Sequence, residues 1–167
     1  MKTGWSPLPL VLKIIFVILA FRLMGALLSL QDIYNNGYEF FGRIIYELYA
    51  VNAQFFICIA FPLIILFGIY QRYAKIWIVA TIYFMALFIN SLMSILIAEE
   101  ILAKALIIMK DVFTIPEGVN EEQFHAILLI AIIMSFVLKA LFNLALMILF
   151  LVKRKYFHII REENPVE

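Results

Sequence analysis

The sequence has few of the residues that covalent or metal chemistry needs. Only 15% of its 167 residues are charged, one residue is cysteine and two are histidine. A single cysteine excludes disulfide frameworks and Cys-x-x-Cys redox or zinc sites within the chain, so we expect Cys58 to be an inert packing or membrane-facing residue. His125 and His158 have no spacing that would hold a metal. We therefore expect neither a metal nor a cofactor.

The chain also lacks a strong charge of either sign and the usual enzyme motifs. Its 13 Lys and Arg residues and 12 Asp and Glu residues give a formal net charge of +1. No basic stretch is interleaved with aromatic residues, so we do not expect nucleic-acid binding. Gly-x-Ser-x-Gly, a phosphate-binding loop and paired intramembrane aspartates are absent as well. We therefore do not expect an enzyme.

Apolar residues, in contrast, are abundant. They make up 66% of the chain, and the mean hydropathy is +1.04. A soluble protein of this length could not cover its core with so few polar residues. The composition predicts an integral membrane protein whose main partner is the lipid bilayer.

Four segments are long enough to cross a bilayer, which needs about 20 helical residues. They are 8–30, 44–70, 76–97 and 126–152. We predict an all-α protein, a bundle of four transmembrane helices in a single domain, followed by a short tail at 153–167. The first span contains Lys13 and Arg22 and lacks a clear cleavage site, so we expect it to be retained and not cleaved as a signal peptide.

The connections between the spans differ in length. The short segment 71–75 forces the second and third spans into an antiparallel hairpin, whereas the connection between the third and fourth spans is long and partly helical. Its segment 99–113 has apolar residues at helical intervals, and two alternatives remain open: it continues the third helix or it lies flat on the membrane. Asn120, followed by Glu121 and Glu122, indicates the N-terminus of the fourth helix.

The orientation follows from the basic residues outside the spans, because positively charged loops are retained in the cytoplasm. One side has Lys2, Arg72, Lys75, Lys153, Arg154, Lys155 and Arg161, and the other has only Arg43, Lys104 and Lys110. With four spans, both termini lie on the more basic side. We predict a multi-pass protein of the cell (cytoplasmic) membrane with both termini in the cytoplasm.

Polar residues inside the spans are candidates for function, because they are costly in hydrocarbon. Lys139 lies near the middle of the fourth span and cannot easily reach either interface. Two helical spacings place polar residues on one face of their helix: Ser135, Lys139 and Asn143 on the fourth, and Tyr83, Asn90 and Ser94 on the third. We predict a polar seam between these helices. Its polar residues either form hydrogen bonds that stabilise the packing of the two helices or bind a ligand or an ion.

The spans contain more cations than acids. We expect Arg22 to pair with Glu47, near the outer boundary. Because Glu47 is the only acid within the predicted spans, nothing in the chain neutralises Lys139 at its own depth. Three remedies remain open: Lys139 is deprotonated by desolvation, it binds an anionic lipid or substrate, or it pairs with an acid of another subunit.

The leading hypothesis is a non-enzymatic membrane protein that acts as a small subunit or scaffold of a membrane complex, by self-association or with another membrane subunit. The alternative is a homo-oligomeric channel or carrier, selective for an anionic solute, with the polar seam around Lys139 lining its path. An intramembrane enzyme that uses a neutral Lys139 ranks third, because the sequence offers no second catalytic group.

Overall fold

The structure, a computed structural model, describes residues 9–71, 73–109 and 120–163. It is mostly helical, at 88%. In chain order its elements are α1 (Leu10–Leu28), α2 (Leu30–Asn36), β1 (Tyr38–Phe40), β2 (Arg43–Ile45), α3 (Glu47–Gln54), a π-helical segment (Phe55–Ala60), α4 (Phe61–Gln71), α5 (Ile76–Ser94), a 3-10 turn (Ile95–Ile97), α6 (Ala98–Met109) and α7 (Glu121–Glu163).

Four helical stretches are long and apolar enough to cross a membrane: Leu10–Leu28, Glu47–Gln71, Ile76–Ile107 and Glu121–Arg154. They agree in number and order with the predicted spans, although residue 8 lies outside the described residues. The third and fourth are 32 and 34 residues long and extend beyond the predicted 76–97 and 126–152. The predicted lengths follow the thickness of the hydrocarbon, whereas backbone hydrogen bonding carries a helix past it.

The segment 99–113 continues the third helix as far as Met109. The 3-10 turn joins α5 directly to α6, and α6 packs against α7. The described part of the segment is therefore helical and follows the third helix through the 3-10 turn, and its position relative to a membrane stays a prediction. Residues 110–113 lie outside the described part.

The N-terminus of the fourth helix is confirmed at Asn120. The Gln123 amide donates to Asn120 Oδ1 at 2.7 Å, and the Asn120 amide donates to Gln123 Oε1 at 3.4 Å. This reciprocal pair is a capping box, which satisfies helix donors that would otherwise be unpaired. At its other end α7 runs to Glu163, so the predicted tail is helical through 163, and 164–167 lie outside the described residues.

A two-stranded antiparallel hairpin departs from the predicted all-α fold. Strands β1 and β2 pair Tyr38 with Ile45 and Phe40 with Arg43, and Phe41 and Gly42 at the turn both have positive φ, as a type I′ turn requires. Each strand has three residues, too few to give a periodic signal in the sequence. Pairing satisfies backbone groups of a segment that packs against α5.

The hydrophobic core lies near the connection between α4 and α5. It joins the first half of α1, α4, α5 and the second half of α7, through Leu12, Ile15, Leu19, Ile65, Leu66, Ile69, Ile76, Ala80, Tyr83, Phe84, Leu87, Leu146, Phe150 and Phe157. The opposite end of the long helices contains most of the polar residues. The tightly packed end therefore holds the helices together, and the other end is free to form a cavity.

Pro62 and the π-helical segment leave one carbonyl oxygen without a donor from its own helix. The Phe61 amide donates to the Phe56 carbonyl, five residues earlier. In this register the next carbonyl, that of Ile57, would accept from residue 62, which is proline and has no N–H. The buried Tyr83 hydroxyl donates to the Ile57 carbonyl instead, at 2.9 Å.

Replacing this hydroxyl destabilises the protein. In Tyr83→Phe the ring still packs against Phe61 and Phe84, but the Ile57 carbonyl loses its donor, which costs about 1–3 kcal/mol. Thermal unfolding in mild detergent measures the loss. Tyr49, which is 79% exposed, provides the matched control, since Tyr49→Phe should change stability by no more than about 0.5 kcal/mol. Equal effects of the two substitutions would contradict the role of the hydroxyl.

Candidate functional site

A polar cavity of about 400 Å³ lies at the end of the long helices away from the hydrophobic core. It is enclosed by α1, α2, the hairpin, the second span, α5 and α7. Its charged lining residues are Arg22, Glu39 and Lys139, its side-chain amides are Gln54, Asn90 and Asn143, and the other lining residues are Ser29, Ile33, Gly37, Tyr38, Cys58, Leu87, Ser91, Ser94 and Phe136. Its size falls within the range of small-molecule sites.

Arg22 is held in the cavity by Asn143. Arg22 Nη1 donates to Asn143 Oδ1 at 3.2 Å, and Asn143 is only 3% exposed. A guanidinium has several N–H donors in a rigid planar fork, and this bond uses one of them. Among the described residues, no acceptor takes the other Arg22 donors, which leaves them for a ligand in the cavity.

Lys139 lies at the margin of the cavity. It is an exposed residue of α7 that also lines the cavity, and its Nζ lies 5.0 Å from the centroid of the Phe136 ring. This distance allows a cation–π contact. The ammonium group can therefore face both the cavity and the surroundings of the helix bundle.

Glu39 is an acid that the sequence analysis did not bring to this site. It is a half-buried residue of β1, outside the four candidate spans. Burial raises the pKa of its carboxyl above the ordinary value, and the attraction of Lys139 opposes this increase. The hairpin therefore brings a carboxyl close enough to Lys139 for the two charges to attract each other.

Asn90 fixes the hairpin over the cavity. Its Oδ1 accepts the Phe41 amide at 2.7 Å, and Phe41 has a positive φ of 46°. Such a backbone conformation is strained for a bulky residue, and this hydrogen bond helps to offset the strain. Since the oxygen of Asn90 is occupied, its Nδ2 group is left as a donor.

Several other polar groups are engaged in local hydrogen bonds. Ser91 and Ser94 donate to carbonyls four residues earlier, each at 2.9 Å, and Gln54 Nε2 donates to Ser29 Oγ at 3.2 Å and to the Ala26 carbonyl at 3.4 Å. The donors that remain for a ligand are those of Arg22, Lys139, Asn90 and Asn143. The cavity is therefore rich in donors and positively charged groups.

The structure brings together four of the six residues predicted for the polar seam: Asn90, Ser94, Lys139 and Asn143. Tyr83 does not line the polar cavity, because its hydroxyl is directed to the second span. Ser135 does not line it either. It is exposed and donates to the Ile132 carbonyl at 2.7 Å.

The predicted pair of Arg22 and Glu47 does not form. Glu47 is exposed at the first residue of α3, and Arg22 bonds to Asn143. The expectation assumed a simple hairpin of the first two spans. In the structure, α2 and the two strands separate these spans, and α1 lies where Arg22 reaches α7.

Further residues of the cavity were not predicted from the sequence. Tyr38 Oη and Cys58 Sγ are 3.5 Å apart and join the hairpin to the second span. Gln54 is 4% exposed and ties this span to α1. An amide in an apolar span was a usable signal for Gln54, but nothing in the sequence indicated that the hairpin would fold over the cavity.

Neither metal chemistry nor similarity to other proteins assigns a role to the cavity. Within residues 9–71, 73–109 and 120–163, no three His, Cys, Asp or Glu side chains lie close enough together to hold a metal ion. No family model, curated protein or solved structure matches the chain. The lining of the cavity is therefore the feature of the protein that points to a function.

Proposed function

We propose that the chain is a multi-pass protein of the cell membrane that binds an anionic molecule in the polar cavity, as a carrier of anions does. Both termini lie in the cytoplasm, and the hairpin lies on the opposite side. The observation that carries the proposal is the convergence of Arg22, Lys139, Asn90 and Asn143, with donors left for a ligand, on one cavity.

Insertion into a membrane is supported by the outer surfaces of the helices. Large apolar side chains are exposed on every candidate span. Examples are Phe21, Leu63, Ile82 and Leu138, which are 48–69% exposed. Water would make such surfaces aggregate, whereas a bilayer covers them. The uneven distribution of Lys and Arg between the two sides supports the orientation.

An anion is the ligand that this lining favours. Two cations face one carboxyl, and burial favours the neutral form of that carboxyl. A partner of opposite sign stabilises the half-buried charge of Arg22, and the planar donor fork of arginine matches carboxylates and phosphates. A bound anion would supply the missing charge and accept the remaining donors.

Stabilisation by glycerol 3-phosphate tests the proposal. A ligand at 100 times its Kd stabilises the folded state by about 2.7 kcal/mol, and about 2–4 °C in Tm corresponds to each kcal/mol in a protein of this size. We expect a rise of several degrees in the Tm of the wild-type protein in mild detergent. Glycerol and sodium chloride at matched ionic strength provide the controls. If glycerol 3-phosphate does no more than these, the proposal is wrong.

Anion binding should weaken as the pH rises through the raised pKa of Glu39. Below that pKa the carboxyl is neutral and leaves Arg22 and Lys139 uncompensated. Above it, the carboxylate repels the ligand, which lowers affinity roughly tenfold for a partly buried charge. Tyr38 stays neutral because burial raises its pKa as well. Besides these residues and the two cations, Cys58 is the remaining titratable group that lines the cavity.

Glu39→Gln isolates this effect. The variant should match wild type in glycerol 3-phosphate affinity below the raised pKa of Glu39 and bind more tightly above it. The titration of the probe itself is common to both proteins. Isothermal titration calorimetry of the two proteins across a pH series gives the difference. Parallel pH profiles for wild type and Glu39→Gln would exclude the carboxyl as the titrating group.

One observation favours a second candidate function, a subunit or scaffold of a membrane complex. Ser135 and Lys139 are both exposed and lie one turn apart on α7, so an acidic residue in a span of another subunit could pair with this face. The mass of the complex purified in mild detergent, for wild type and Lys139→Leu, tests this candidate. Loss of a co-purifying membrane protein in the variant would support it, and identical complexes would exclude it.

A further inference from the structure

An apolar groove of about 480 Å³ lies beside the polar cavity. It runs between the hairpin, the second span and α5, and is lined by Phe40, Phe41, Ile57, Phe61, Ile82 and Ala86, among others. The hydroxyl of Tyr83 in its wall is already bonded to Ile57. The groove therefore offers a hydrocarbon surface, with Asn90 as the polar residue at its margin.

The groove and the polar cavity share two residues of α5, Leu87 and Asn90. The hairpin divides its side chains between them. Tyr38 and Glu39 line the cavity, whereas Phe40 and Phe41 line the groove. A cationic, donor-rich space and a hydrocarbon-lined space thus meet at one edge.

We propose that the ligand is an anionic phospholipid, with its phosphate headgroup in the polar cavity and part of one acyl chain in the apolar groove. The inference rests on the proposed function, because it names the class of anion that the cavity binds. The cations of the polar cavity are complementary to the negative charge of the headgroup. Because the cavity and the groove meet at Asn90, an acyl chain attached to that headgroup can reach the groove. A free phosphate-containing solute has the same headgroup chemistry but would leave the groove unused.

Lys139 provides the route by which a lipid reaches the cavity. Because it is exposed on α7 and also lines the cavity, its ammonium can contact a headgroup that approaches from the surrounding bilayer. Arg22, held by Asn143, then provides the planar donor fork that suits a phosphate. A lipid can therefore enter sideways without leaving the membrane.

Photocrosslinking in vesicles tests the occupant of the groove. The full chain is reconstituted in phosphatidylcholine vesicles with a trace of phosphatidic acid or phosphatidylcholine, each with the same diazirine-bearing acyl chain. Peptides that contain Phe61, Ile82 and Ala86 should be labelled about tenfold more by the phosphatidic acid probe. Equal labelling by the two probes would overturn the inference.

Two substitutions test whether the tail lies in the groove. Ala86→Phe fills the groove and should lower labelling of these peptides by phosphatidic acid to the level seen with phosphatidylcholine. Ala145→Phe, the same change at an exposed position of α7, should leave the labelling unchanged. If both variants are labelled like wild type, the tail does not lie in the groove.

The glycerol 3-phosphate experiment on the wild-type protein keeps the two proposals distinguishable. If glycerol 3-phosphate raises the Tm but the two lipid probes label the groove equally, the cavity binds a soluble anion, and only the inference about lipid fails. If glycerol 3-phosphate gives no shift and the lipid probes do not differ, both proposals fail.

Discussion

Arg22→Gln abolishes the stabilisation that glycerol 3-phosphate gives to the wild-type protein. Arg22 is the cavity cation that a neighbouring side chain fixes in position, through the 3.2 Å bond to Asn143. Removing one member of a buried, hydrogen-bonded charge pair costs about 2–5 kcal/mol in binding. For the half-buried Arg22 we expect the lower end of this range, about thirtyfold in affinity. The measurement is the Kd from calorimetry, together with the Tm shift.

Two further variants test why Arg22 matters. Arg154→Gln removes the same charge at an exposed position of α7, and we expect its affinity to equal that of wild type. Arg22→Lys keeps the charge but loses the planar fork, so we expect an intermediate loss of about tenfold. If Arg154→Gln weakens binding as much as Arg22→Gln, the effect is one of net charge, and the cavity is not the site.

Gly37→Ala displaces the hairpin, which forms one wall of the cavity. Gly37 has φ 87° and ψ 173°, a region open essentially to glycine alone and worth about 1–3 kcal/mol of strain for other residues. A Cβ at this position would lie 2.9 Å from the backbone oxygen of Ile45 and 2.7 Å from Ile44 Cγ2. The backbone must shift, which displaces Glu39 and the bond between Phe41 and Asn90.

The expected result for Gly37→Ala is a lower Tm together with weaker glycerol 3-phosphate binding. Gly25→Ala provides the matched control, because nothing lies within 4 Å of a Cβ at this helical position. Alanine is favoured over glycine inside a helix by about 1 kcal/mol, so this control should be neutral or stabilising. Normal anion binding by a destabilised Gly37→Ala would separate the hairpin from the site.

The four long helices could be predicted from the sequence, because length and hydropathy alone decide whether a segment can cross a bilayer. The segments 8–30 and 126–152 are long and predominantly apolar, with only Lys13, Arg22 and Lys139 as charged residues. The ends of the helices were less certain, since α6 and both ends of α7 carry charges that a helix tolerates outside hydrocarbon. The capping residue Asn120 was the exception, because its chemistry is local.

The site was predicted in part. Helical spacing grouped Asn90, Ser94, Lys139 and Asn143, and all four line one cavity, because residues on one face of a helix stay on that face when the helices pack. Spacing could not tell that Tyr83 turns to the second span, since this depends on a carbonyl that Pro62 leaves without a donor. The position of Glu39 depends on a short hairpin whose placement is set by tertiary contacts.

Packing differs between the two ends of the long helices. Apolar side chains such as Leu19, Ile65, Phe84 and Phe150 pack the end near the connection between α4 and α5. At the other end, polar side chains and the hairpin line a cavity. The proposed site depends on this division, since a core packed along the whole length of the helices would leave no space for a ligand.

Chemical labelling of Cys58 tests the central claim most directly. Cys58 is the sole cysteine of the sequence and lines the polar cavity, so the wild-type protein needs no substitution. We expect an anionic methanethiosulfonate reagent to react faster than a cationic one of similar size, and glycerol 3-phosphate to slow the reaction, as followed by the intact mass. Equal rates, or a rate that glycerol 3-phosphate does not change, would contradict an anion site in this cavity.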